Sequence, residues 1–182
     1  MTPLFPGSQA KSMPIGTGST ECLKRSKNMT GQILARLGEM GIDLPEPAAP
    51  VANYIPAIRS GNLLFISGQL PIDADGQIMT GKLGATTEVE GGVAAARICA
   101  INLIAQCNAA LGDLDRIVRC VKLTGFVNCT PDFADHAPVI NGGSGLMVDV
   151  LGDRGRHARA AVGCASLPLN AAVEIEGVFE VN

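Results

Sequence analysis

Residues 87–112 read TEVEGGVAAARICAINLIAQCNAALG. Within them Val93, Ala96, Ala100, Ile104, Cys107 and Leu111 recur three or four positions apart and fall on one helical face. Gly112 supplies a stop, and Thr87 with Glu90 has the T-x-x-E spacing of a capping box. The stretch predicts a long helix whose apolar face must lie on another element.

Working upstream, Tyr54 to Ile58 and Leu63 to Leu70 flank Ser60-Gly61-Asn62 and predict a two-stranded hairpin, with a further turn at Asp75-Gly76. Ahead of it, Ile33, Leu34 and Leu37 mark a short helix from Gln32 to Met40, closed by Gly41 and followed by a Pro-rich run from Leu44 to Pro50. Working downstream, Asp115 to Asn128 is rich in Val, Ile, Leu and Thr and reads as a strand. Thr130-Pro131 can open a helical segment that Pro138 must break or restart.

Leu146 and Val150 then mark a second long helix, despite Gly142, Gly143 and Gly145. An interior glycine costs a helix about 1 kcal/mol, so tight packing or a close ligand is the expected reason for each. His157 to Leu167 and Val173 to Val181 alternate as two strands around Pro168-Leu169-Asn170. The order β-β-α-β-α-β-β gives an α+β domain of two layers, with two helices on one sheet face. The sequence supplies no helix for the opposite face, so self-association is the simplest way to cover it.

The chain has 182 residues, enough for one core, and divides into a polar Pro/Gly/Ser/Lys-containing extension over residues 1–28 and a single domain over 29–182. The extension reads as a disordered segment or tag, with a transit peptide as the competing reading. Net charge is −3, aromatics are 3%, and no basic run exceeds Lys24-Arg25, which disfavours a polynucleotide partner. The six cysteines show no CxxC pairing and lie mostly in apolar patterns, as free thiols in a reducing compartment would. No uninterrupted apolar run approaches the roughly 18 residues of a membrane span, and the cytoplasm is the default location.

Arg159 stands among Ala158, Ala160, Ala161 and Val162, on a strand that otherwise carries small or apolar groups. A guanidinium there can offer paired donors to a carboxylate, or else serve an internal salt bridge. Glu174 alternates with Val173 and Ile175 and points away from their face, as either a base or an ordinary solvated acid. His136 and His157 have no second ligand at metal spacing, and no phosphate-loop or dinucleotide fingerprint occurs, so neither a metal nor a cofactor is expected.

Four ordered segments carry a family resemblance. They are Asn53-Tyr54-Ile55-Pro56 with Gly61 to Pro71; Val121-Lys122-Leu123-Thr124; Asp132-Phe133 with Val139-Ile140-Asn141; and Ala158-Arg159 through Leu167-Pro168 to Glu174-Ile175-Glu176. Together they span about residues 50–181 and resemble the RidA (YjgF-like) family, with a longer Leu-Pro-x-Pro lead-in that looks like a less characterised branch. The resemblance implies a chorismate-mutase-like fold and a homotrimer with clefts between subunits. It implies hydrolysis of enamines and imines such as 2-aminoacrylate to a 2-oxo acid and ammonia, and the family's older label is endoribonuclease.

By the same resemblance Arg159 holds the substrate carboxylate, the Ala161 carbonyl accepts from its nitrogen, and Glu174 directs the attacking water. Tyr54, Ser67, Gly68 and Asn141 match positions lining the cleft. If the last two strands form a hairpin, Glu174 lies opposite Ser166, about 23 Å from Arg159 at strand rise. The two residues then act together only across a subunit boundary, and a monomer is expected to be inactive. A non-catalytic trimer binding a carboxylate metabolite is the alternative from another class, and ribonuclease activity fits the acidic, aromatic-poor composition least.

Overall fold

The computed structural model describes residues 31–47 and 53–182, which places the reading of residues 1–28, with Cys22, outside the described residues. The elements run α1 (Gln32–Glu39), β1 (Ala57–Ser60), β2 (Leu63–Gln69), α2 (Val89–Leu111), β3 (Ile117–Asn128), α3 (His136–Leu151), β4 (Ala158–Cys164) and β5 (Val173–Val181). After α1 this is the expected β-β-α-β-α-β-β order. The α+β fold is chorismate-mutase-like, with α2 and α3 side by side on one face of a five-stranded sheet.

Sheet order is β1-β2-β5-β3-β4. Every neighbouring pair is antiparallel except β3 and β4, which α3 joins in parallel. The expected hairpin of the last two strands therefore does not form: β3 lies between β4 and β5. The chain from Ala165 to Ala172 passes the end of β3, where Asn128 N donates to the Ala172 carbonyl, through a turn in which Leu169 and Asn170 take left-handed φ values of 55° and 57°.

Two local expectations also need correction. The capping box at Thr87 is not made: α2 starts two residues later, with Glu88 as an N-cap whose side chain makes no capping bond. Thr87 instead bridges Leu83 as a short parallel contact. Thr130-Pro131 opens a turn rather than a helix, and α3 begins at His136, so that Pro138 occupies its third position. A first-turn proline costs little, because the N–H groups there have no intrahelical partner.

The core lies between the helices and the sheet. Leu103 and Ile104 of α2, Ile140 and Leu146 of α3, and Leu123 and Phe179 of the sheet are all sealed from solvent. Each such side chain contributes about 1.5–3 kcal/mol by leaving water. Length and composition alone would let Val89–Leu111 cross a membrane, but half of that stretch is buried in the core.

The glycines of α3 have the packing role anticipated for them at two of three positions. A Cβ on Gly142 would collide with the Val93 carbonyl of α2, and one on Gly143 would come within 2.9 Å of Ile175 Cδ1 and 3.1 Å of the Ala96 carbonyl oxygen. The two helix backbones touch at these positions, whereas Gly145 faces open space. All five described cysteines are unpaired, four of them buried.

Candidate functional site

Arg159 leaves the edge strand β4 on the helix-covered side, beside Leu123 of β3. Its Nη1 donates to Asn141 Oδ1 at 2.8 Å and to Ser144 Oγ at 3.1 Å, both on α3. Residues i and i+3 of a helix share a face, so Asn141 and Ser144 form one ledge beneath the guanidinium. Both acceptors are neutral. The ion pairs among the described residues join Arg97 to Asp149, Arg119 to Glu180 and Arg156 to Asp153, and leave Arg159 without a carboxylate. Beside it opens a groove of about 270 Å³ lined by Ser144, Val148, Arg156, His157 and Arg159.

The hydrogen-bond directions around that groove follow from donor chemistry. His157 Nδ1 lies 2.6 Å from the Gly155 carbonyl oxygen, which only accepts, so Nδ1 carries the proton. The remaining nitrogen, Nε2, then accepts from the Ser144 hydroxyl at 3.0 Å. Ser144 Oγ in turn accepts from Arg159. Burial, and secondarily the Arg159 charge, lower the His157 pKa against the opposing pull of the Gly155 carbonyl, which keeps the ring neutral. A continuous chain from Gly155 through His157 and Ser144 thus fixes one arm of the guanidinium. Ser144 is absent from the residues the sequence singles out, although its i+3 spacing from Asn141 is a usable signal.

Asn141 lies inside α3, as a partner of Arg159. Ala161 shares the helix-side face with Arg159, since it aligns with Gly125, and its strand is the free edge of the sheet. An edge strand keeps peptide N–H and C=O groups that no neighbouring strand takes up.

The remaining predicted residues gather elsewhere. Glu174 aligns with Phe126 on the uncovered sheet face, between the fully buried Val173 and Ile175. Its carboxyl lies over Gly68, where any Cβ would overlap Glu174 Oε1, so glycine is what lets the acid lie across β2. Burial, and secondarily the nearby Glu176, raise the Glu174 pKa above the usual carboxylate value. Ser67 donates through Oγ and N to the Ile55 and Pro56 carbonyls, at 2.9 Å each, and so ties down the segment that carries the exposed Tyr54.

Arg159 and Glu174 thus occupy opposite faces of one sheet. Along β3 their partners Leu123 and Phe126 are three residues apart, and two strand spacings separate β4 from β5. That puts their Cα atoms about 14 Å apart, replacing the 23 Å of the hairpin expectation. The barrier to joint action within one subunit is the sheet itself.

An arginine held by neutral partners on the edge strand of a sheet-and-two-helix layer, over a small groove, defines a small-ligand-sized site on a chorismate-mutase-like scaffold. The chain belongs to the YjgF/RidA family: the family described as "YjgF/chorismate_mutase-like, putative endoribonuclease" matches residues 34–180. Protein TCP17 of Trypanosoma cruzi is 50% identical over 154 residues, covering 84% of this chain and 96% of its own. The crystal structure of Atu1372 from Agrobacterium tumefaciens is 51% identical with a TM-score of 0.77, covering 82% of this chain and 92% of its own. E. coli TdcF, solved with bound serine, shares the fold at 22% identity and a TM-score of 0.56, covering 75% of this chain and 94% of its own. The contrast between about half and about a fifth identity marks a distinct branch of the family.

Proposed function

We propose that the protein hydrolyses reactive 2-imino acids of the 2-aminoacrylate type to 2-oxo acids and ammonia, acting as a homotrimer with its sites between subunits. The observation that carries this reading is the Arg159 guanidinium, held by Asn141 and Ser144, without an acid partner and open to a groove. Arg159 is exposed at the groove, so its free edge is open to an incoming carboxylate, with which a guanidinium forms paired, charge-assisted hydrogen bonds.

In the reaction, the enamine tautomerises to the imine, whose carboxylate takes the paired donors of Arg159. The Ala161 carbonyl accepts from the imine N–H. Water, with Glu174 of a neighbouring subunit as base, adds to the C=N carbon, and collapse of the carbinolamine expels ammonia and leaves the C=O. The raised pKa of Glu174 suits proton transfer better than a fully solvated acid would. Such imines hydrolyse unaided, so holding carboxylate, nitrogen and water in register is most of what is required.

Self-association has independent support from the sheet face opposite the helices, which no element among the described residues covers and where Ile58 is 55%, Val162 44% and Phe65 40% exposed. The test is imine hydrolysis with 2-aminoacrylate generated in situ, comparing wild type with Arg159→Lys. A lysine keeps the charge and loses the fork, so kcat/KM is expected to fall about 10- to 100-fold, from loss of about 1.5–3 kcal/mol of charge-assisted hydrogen bonding. Equal rates in the two proteins would overturn the role of Arg159. Wild-type ammonia release no faster than buffer would leave a carboxylate-binding protein without catalysis.

A further inference from the structure

The Arg159 groove contains more positive charge than one carboxylate requires. Besides Arg159 and the polar pair Ser144 and His157, its wall includes a second guanidinium, Arg156, and no acidic side chain lines it. Arg156 precedes β4 by two residues, and its Cα is at most about 10 Å from that of Arg159 along the chain. Its one ion pair, Nε to Asp153 Oδ1 at 3.3 Å, is between side chains 72% and 96% exposed. An exposed pair of this kind is worth about 0–1 kcal/mol and yields readily to a better-placed anion. It also uses only the Nε edge, which leaves the two terminal nitrogens of Arg156 for a ligand.

One planar carboxylate is satisfied by one guanidinium fork. With two guanidiniums and an apolar Val148 among its lining residues, and a volume near the low end for small-molecule sites, the ligand that uses the whole groove is short, with an acidic group at each end. We propose that the groove selects dicarboxylates: Arg159 takes the carboxylate next to the reacting carbon, and Arg156 takes the distal one. This rests on the reading of Arg159 above and deepens it, since the preferred substrate becomes the imine of an acidic amino acid.

Stable 2-oxo acids separate the two claims without catalysis. Calorimetric titration of the wild-type protein should show 2-oxoglutarate binding at least ten-fold more tightly than 2-oxobutyrate. Arg156→Ala, at an exposed position outside the core, should bring 2-oxoglutarate down to the level of 2-oxobutyrate and leave 2-oxobutyrate within two-fold of wild type. Asp153→Asn, which removes the competing acid, should tighten 2-oxoglutarate alone. Equal binding of the two acids by wild type, or a preference that survives Arg156→Ala, would overturn the dicarboxylate claim while an Arg159-dependent affinity for both left the carboxylate site standing. Failure of both acids to bind would remove both claims.

Discussion

At the scale of single residues, the site is governed by what each polar atom is obliged to do. Arg159 can only donate and His157 Nδ1 must donate to Gly155, so Ser144 has one arrangement that satisfies all three. The neutral ring has a consequence for stability. Its folded-state pKa is depressed, so the unfolded chain takes up the proton first as pH falls through the usual imidazole value of about 6.5. The His157 contribution is therefore present above that pH and is lost below it. Chemical denaturation at pH 7.5 and pH 5.5 should show a loss of stability that is smaller in His157→Gln. Glu174 has the opposite sign. Its raised pKa means that its contribution is present below the usual carboxylate value and is lost as pH rises through the folded value. Glu174→Gln should thus raise the thermal midpoint at neutral pH while lowering imine hydrolysis. Arg159 was legible in the sequence because a long cation among alanines stands out; Ser144 was hidden in a glycine cluster that drew attention for its backbone.

At the scale of elements, periodicity gave the order of helices and strands because the core is filled along one face of each, although β1 forms at Ala57–Ser60, later than the Tyr54–Ile58 reading, and no helix follows Thr130-Pro131 before His136. Partner choice was another matter. Pro168-Leu169-Asn170 reads as a tight turn, yet the eight residues from Ala165 to Ala172 carry the chain past β3, and nothing local reveals the intervening strand. The capping box failed for a related reason: Thr87 is held by its bridge to Leu83, so the helix starts after it. The close contact of α2 with α3 supplies a paired prediction. Gly142→Ala should cost about 1–3 kcal/mol, since its methyl group meets the Val93 carbonyl and only backbone movement relieves the overlap. Gly145→Ala, one turn on with nothing within 4 Å, should stabilise by about 0.5–1 kcal/mol through helix propensity. Urea titration of the two variants measures the difference.

At the scale of the whole molecule, the sheet keeps the cation on one side and the carboxylate on the other, so that the proposed reaction requires a second copy. Variants Arg159→Ala and Glu174→Ala should each be nearly inactive alone. Unfolded together and refolded in equal amounts, they should regain activity in about a quarter of the sites, those pairing an intact Arg159 with an intact Glu174 from the neighbouring subunit of a cyclic trimer. Mixing that restores nothing would mean that both residues serve one subunit or that one of them is idle. Introducing charge on the uncovered face, as in Phe65→Glu, should give a folded monomer by sedimentation, with hydrolysis lost.

The parallel pairing of β3 with β4 has an evolutionary corollary. Arg159, its Asn141 and Ser144 ledge, His157 and Arg156 all fall between Ile117 and Cys164, in a single strand-helix-strand passage of the chain. The acid-bearing half lies outside it. Ligand choice can therefore drift, or be transplanted between relatives as one contiguous cassette, while the half that supplies the base is left untouched.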